Sequence, residues 1–294
     1  MNLNQTSNLK IYFRSDYVQS LKGLKDVTEI YAKLDPTLEV KERKKCGDCG
    51  YEYPVIGVSK HINPFGTEEG KIKFDKCPKC LVDKEDNHFR EQAKHDMQWR
   101  IVDKYGGISS EPNELKDATL DDYEPKNETQ EKAKKSVIDF LNGDIEQTTL
   151  FFQGDTGLGK THLSYCVYKS YMDSCHPAIF IDTPNLMNKI RSTYNKDAKT
   201  TQEDIMKKIK DVELLVIDDV GAEYVKPDAN GYESWAADIL YQVVNDRQGK
   251  KNIFTTNFTS KHLAKKYGMM SKRILSRMMS NAKVIKVEGD DHRL

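Results

Sequence analysis

The chain has 294 residues, with 46 Lys and Arg set against 46 Asp and Glu. That length holds one large or two modest domains and a core that needs no disulfide staples. A net charge of zero excludes bulk electrostatics as a guide to partners, so any nucleic-acid contact has to come from a local patch. Four of the six cysteines fall in two Cys-x-x-Cys pairs, Cys46/Cys49 and Cys77/Cys80, which points to a reducing compartment and a metal, not to a disulfide scaffold. Residues 1–20 lack the apolar run and cleavage site of a secretion signal, and no stretch approaches the ~18–20 apolar residues of a membrane span. A soluble cytoplasmic protein with no membrane partner is expected.

In chain order, Leu21, Leu24, Val27, Ile30, Tyr31 and Leu34 recur at helical steps and predict an amphipathic helix that Asp35-Pro36 ends. Residues 45–82 hold the cysteine pairs, with "YEYPVIGV" between them as a short strand. Residues 83–104 are polar and helix-permissive. The turn-rich run "YGGISSEPNELKDATLDDYEPKNETQ" (105–130) reads as a flexible linker, and "TQEKAKKSVIDFL" as a helix with Thr129 as a possible N-cap. From about residue 148 strands ("TTLFFQ", "PAIFIDT", "VELLVIDDV", "KNIFTTN") alternate with helices ("KTHLSYCVYKSYM", "PNLMNKIRSTY", "TQEDIMKKI", "ESWAADILYQVVNDRQ"). That alternation predicts an α/β fold, a parallel sheet with helices on both faces.

Gly154-Asp155-Thr156-Gly157-Leu158-Gly159-Lys160-Thr161 fits G-x-x-x-x-G-K-[ST] between a strand and a helix. Small glycines let backbone N–H groups wrap phosphates, Lys160 brings a charge to the β/γ-phosphates, and the Thr161 hydroxyl ligates Mg²⁺. The helix that starts here offers its positive end to the anion. About sixty residues on, "LLVIDDVGAE" ends an apolar strand in two carboxylates, where ligands sit in such sheets. Asp218 is placed to hold Mg²⁺ through water and Asp219 to orient the attacking water, with Glu223 as a weaker alternative for that role. Asn257 follows the strand "NIFTT" and is placed to reach the γ-phosphate or that water. "SKRILSRMMS" puts Arg273 and Arg277 four apart on one helix face, either as a solvated basic face or as an arginine finger given to a neighbouring subunit's ATP.

This order of motifs resembles the AAA+ ATPases. Its details are similar to the bacterial helicase-loader family (DnaC/DnaI type), with the transposition helper IstB as a close relative. "GDTGLGKTHL", "LLVIDDVGAE", "TTNF" and "RILSRM" carry the resemblance, together with "ATLDDYEPKNETQEKA" ahead of the core. It implies an AAA+ P-loop core over 131–294 without a helical lid domain, entered through an adenine-proximal segment over 105–130. It adds His162 to the residues that bind ATP, makes Arg277 the finger and Arg273 secondary, and suggests a phosphate role for Arg293 in the terminal Gly-x-x-x-Arg. Self-association through shared ATP sites follows.

Over 1–104 the cysteine pairs are similar to the N-terminal zinc domain through which DnaI-type loaders contact the helicase. Cys46, Cys49, Cys77 and Cys80 form a C-x₂-C…C-x₂-C set whose two-residue gaps let each pair reach one Zn²⁺. A redox pair is the rival reading, and His61, which lies between the pairs, could replace one cysteine. Arg191, Lys196, Lys199, Lys207, Lys208 and Lys210, with Tyr194 to stack on a base, suit single-stranded DNA, or else a solvated helix pair. The expected function is ATP-dependent loading of a replicative hexameric helicase onto single-stranded DNA, in a protein that a phage could encode. The alternatives are a transposition helper ATPase and a zinc-dependent helicase-binding adaptor or inhibitor with a non-hydrolysing core.

Overall fold

The structure, a computed structural model, describes residues 38–58, 61–63, 66–68, 77–224 and 235–291. The helix expected over 21–34 and Arg293 lie outside them. The chain divides into two compact units, Met1–Ala93 and Lys94–Leu294, and the division falls inside a long helix, α1 (Pro78–Tyr105).

In the first unit β1 (Leu38–Lys45) pairs antiparallel with β2 (Glu52–Val58), and β3 (His61–Asn63) with β4 (Gly66–Glu68). The turn between β1 and β2 is closed by Cys46 N–H donating to the Tyr51 carbonyl at 2.8 Å and Gly50 N–H to the Cys46 carbonyl at 3.0 Å. The apolar cluster among the described residues is Tyr53, Val55 and Cys77, with Cys46, Tyr51 and Cys80 packed against it.

The second unit contains α2 (Glu128–Asn142), β5 (Thr149–Gln153), α3 (Lys160–Asp173), β6 (Ala178–Asp182) and α4 (Thr183–Ser192). It continues with α5 (Gln202–Asp211), β7 (Leu214–Asp218), α6 (Trp235–Asp246) and β8 (Lys251–Thr256). It then adds α7 (Ser260–Tyr267), α8 (Ser271–Met278) and β9 (Ala282–Lys286). The five strands form one sheet in the order β6-β7-β8-β5-β9, and every pairing is parallel. Strands buried on both faces read as unbroken apolar runs, and "LFF", "AIFI" and "LLVI" are such runs. On one face Val137 and Phe140 of α2 and Leu163 and Val167 of α3 pack on Leu150, Phe152 and Val216. On the other, α4 to α8 pack on Phe151, Ile179, Ile217 and Phe254.

Helix ends follow their caps. Asp182 caps α4 by accepting from Asn185 N–H, with a proline in the first turn, and Thr201 and Asp204 form a reciprocal capping box on α5. The N-cap of α2 is Asn127, which accepts from the N–H groups of Thr129 and Gln130, and not Thr129 itself. Arg247, just past α6, is fully buried. Its guanidinium donates to the Asn252 side chain at 3.0 Å and to the carbonyls of Lys210, Val212, Glu213 and Lys251 at 2.5–3.2 Å.

The segment read as a flexible linker is a strap fastened to the second unit. Ser110 N–H donates to the Phe180 carbonyl at 2.8 Å, Glu111 accepts from the hydroxyls of Tyr168 (2.7 Å) and Tyr165 (3.2 Å), and Ile108 and Tyr123 are buried. Its polar composition marks it correctly as irregular backbone, but a few anchors are enough to dock it.

Candidate nucleotide site and cysteine cluster

Sheet order brings the polar strand ends together. β5 lies between β8 and β9, and β7 flanks β8, so the turns after β5, β7 and β8 open at one edge, a topological switch point. The loop after β5 holds Gly157 at φ +80° and Gly159 at φ +76°, left-handed values that only glycine adopts without cost and that turn successive N–H groups inward. Asp155 and Thr156 are exposed, Leu158 is buried beneath them, and Gly154 N–H donates to the Thr256 carbonyl of β8 at 3.2 Å. Lys160 opens α3; its side chain is buried and its ammonium donates to the Asp155 carbonyl at 2.6 Å, so it closes over its own loop.

Asp218, the last residue of β7, is buried between two hydroxyls: Thr161 donates to Oδ2 at 3.0 Å and Thr255 to Oδ1 at 2.5 Å. Burial pushes its carboxyl up to about 6; the neighbouring Asp219 charge adds to this, and the two hydroxyls and Lys160 oppose it. A carboxylate held this way is suited to a cation, which would remove the cost of its charge. Asp219 sits at φ +52°, an uncommon conformation for a residue with a side chain. Thr255 Oγ1 accepts its N–H at 2.9 Å, Thr183 donates to its carbonyl at 2.6 Å, and Asn257 Nδ2 donates to its carboxylate at 3.3 Å. Three side chains, one from α4 and two from the end of β8, therefore lock the turn that carries this carboxylate. Glu223 is turned away into the protein, 1% exposed, and accepts from Gly221 N–H.

His162 pairs through Nε2 with the Thr119 carbonyl of the strap at 2.8 Å, next to the Tyr123 ring. The Tyr123 hydroxyl donates to the Leu158 carbonyl, and its ring fills the space a side chain at Gly159 would need. Arg277 stands apart from this cluster. It is exposed on α8, with Nε donating to Asn245 Oδ1 at 3.2 Å, and Arg273 is exposed on the same helix.

The four cysteines of the first unit converge. Their sulfurs all lie within 4.8 Å of one another, with Cys46–Cys80 and Cys49–Cys77 each at 3.7 Å. Four sulfurs about 2.3 Å from a central tetrahedral ion stand about 3.8 Å apart, so the set fits Zn²⁺ and needs no further ligand. Backbone N–H groups of Cys49 and Asp48 hold the Cys46 thiol down at about 7, whereas burial raises Cys77 and the adjoining Cys49 sulfur raises Cys80.

The family model described as "IstB-like ATP binding protein" matches residues 67–294. The chain belongs to the IstB-like ATP-binding family. Among relatives of this IstB-like chain, the replicative helicase loader DnaC of Escherichia coli (strain K12) is 23% identical over 163 residues, 55% of this chain and 62% of DnaC. A proposed ATP-binding protein of insertion sequence IS232 from Bacillus thuringiensis subsp. berliner is 24% identical over 166 residues, again 55% of this chain and 62% of the relative. The match thus spans about three fifths of the length of these relatives. A solved structure of a proposed primosome component from Streptococcus pyogenes serotype M3 superposes with TM-score 0.50 at 22% identity, over 63% of this chain and 93% of the other, and shares the fold. No helix among the described residues is long and apolar enough to cross a membrane.

Two residues of the IstB-like site were not assigned from sequence: Thr255 bridges both aspartates, and Thr183 holds Asp219. Apart from that site, Trp235 packs edge-on to Tyr194 with Arg191 over its ring at 5.0 Å. The strand ending "TTN" carried a signal for Thr255; Thr183 and Trp235 each open a helix, and their contacts arise only when separate elements meet in space.

Proposed function

We propose that this chain is an ATP-hydrolysing loader of a replicative hexameric helicase. The observation that carries the reading is the strand-end cluster of Lys160, Thr161, Asp218, Thr255, Asp219 and Asn257, in a chain whose family model and DnaC relative point the same way. Lys160 would hold the β/γ-phosphates, with Gly154 to Gly159 cradling them. Thr161 and Asp218 would hold Mg²⁺, which neutralises charge on the transferring phosphoryl group. Asp219, fixed by Thr255, Thr183 and Asn257, would orient the attacking water. His162 and the strap would lie beside the base. Arg277 would complete the site of a neighbouring protomer.

The reading predicts ATPase activity stimulated by single-stranded DNA, and co-purification of a replicative helicase with the full chain from its host. Recovery of a transposase without helicase would favour the transposition-helper reading. Helicase capture without any ATPase activity would favour the adaptor or inhibitor.

The segment ahead of the strap would dock on the helicase, with zinc holding its shape. One zinc per chain is expected, because four convergent sulfurs make one tetrahedral site whose filling is coupled to folding. Cys77→Ser should lose the metal and expose 38–93 to limited proteolysis while 94–291 resists. A wild-type chain with no metal and an equally resistant front segment would sink the assignment.

Single-stranded DNA would run over α4, α5 and the turn between them. Tyr194 is 58% exposed there, its hydroxyl fixed by Gln202 (2.6 Å) and by the Trp235 indole (3.1 Å), and Lys196, Lys199, Lys207 and Lys210 are exposed. Stacking is worth about 1–3 kcal/mol per base. Tyr194→Ala should therefore weaken oligo-dT binding about tenfold, and removing two of the lysines should flatten its salt dependence. Unchanged affinity and salt slope would refute this path.

A further inference from the structure

The stretch beyond β9 runs across the phosphate loop. Val287 N–H donates to the Gln153 carbonyl at 2.8 Å, extending the sheet by one bond. The Glu288 carbonyl then accepts from Asn127 Nδ2 (2.8 Å), Thr129 Oγ1 (3.3 Å) and Gln130 Nε2 (3.4 Å), and Glu288 N–H donates back to Thr129 Oγ1 at 3.0 Å. Gly289 turns at φ +133°, and the side chains of Asn127 and Gln130 fill the space where its own side chain would be. The path of the chain is thus fixed two residues ahead of Asp291.

The Asp291 carboxylate lies directly against Gly157, filling with both oxygens the space a Cβ there would take. Gly157 is one of the two left-handed residues that shape the anion cradle. The side chain is half-buried and within reach of solvent, while its neighbour Asp290 is exposed.

From this placement we propose that Asp291 sets the affinity of the nucleotide site: its carboxylate competes, as an anion, with the phosphates for the cradle. The inference rests on the ATP-site reading above. A carboxylate and a phosphate oxygen seek the same N–H donors, and two like charges a few ångströms apart outside bulk water repel strongly. Nucleotide therefore has to displace Asp291 or bind against its charge. Its anchored approach keeps the carboxylate at high local concentration, so competition is strong although a single carboxylate is a weak anion ligand.

The test is titration of the full chain with the fluorescent probe mant-ADP and Mg²⁺. Asp291→Asn should bind about tenfold tighter than wild type, whereas Asp290→Asn should stay within about twofold. Equal or weaker binding by Asp291→Asn overturns the inference and leaves the ATP-site reading standing, provided wild type binds. Equal tightening by Asp290→Asn also overturns it, since bulk charge then explains the effect. If neither wild type nor Asp291→Asn binds the probe, the inference and the ATP-site reading fall together.

Discussion

A one-to-one mixture of Lys160→Ala and Arg277→Ala chains should hydrolyse ATP although neither chain alone does. Lys160 is buried at the start of α3 and folded over its loop, so removing it takes away the cation that the loop itself would bring to the phosphates. Arg277 is exposed on α8 and rests on Asn245, clear of the cluster around Asp218. An arginine donated between protomers is worth about 10³–10⁵ in rate, so each variant alone should fall by at least about 10³. In a random mixture, about one head-to-tail interface in four pairs an intact Lys160 with an intact Arg277, and activity should return to about that fraction of wild type. The measurement is steady-state phosphate release across mixing ratios. Failure to recover would confine Arg277 to its own chain or to a structural role.

Arg247→Ala should be among the most destabilising single substitutions in the second unit, by about 3–5 kcal/mol. The guanidinium is fully buried, and burial lowers its pKa only to about 10, so it stays charged at neutral pH. It meets no carboxylate among its bonded partners and is satisfied by carbonyls at the end of α5 and at the starts of β7 and β8. Those carbonyls include the negative end of a helix, which favours a cation. Truncation leaves a cavity and several buried acceptors without donors, each costing about 1–3 kcal/mol. Arg247→Lys should recover only part of the loss, because one ammonium cannot span the same fork of acceptors. Chemical denaturation followed by tryptophan fluorescence checks this; a loss below about 1 kcal/mol would mean that water replaces the guanidinium.

The legible parts of this molecule are those whose physics is local. Glycines 157 and 159 announce a backbone that must turn left-handed, and the runs before and after them announce strands with two buried faces. The cysteine pairs announce a metal set by their spacing, which left a redox pair and a His61 ligand open, but not that Cys46 and Cys80, and Cys49 and Cys77, each come to 3.7 Å. Docking was not legible. Residues 105–127 have a loop's composition, and nothing local says that Ile108, Glu111 and Tyr123 will each find a fixed partner. Nothing in the sequence marks Arg247 for burial, which arises only when α5, β7 and β8 converge on it. Asn127 is the better cap than Thr129 two positions on, both as a residue type and because Gln130 stands three residues after it, a local signal that the choice of Thr129 passed over.

The strap also fixes what can be inherited as a module. A recombination that joined a different front segment at residue 131 would keep every motif of the phosphate-binding core and yet discard Tyr123, which roofs Gly159, and Glu111, which ties down two tyrosines of α3. A crossover ahead of Gly106 would carry both along. Ile101 and Tyr105 of α1 also pack in that core, so the portable ATP-binding cassette is longer than its motifs suggest and reaches back toward Lys94.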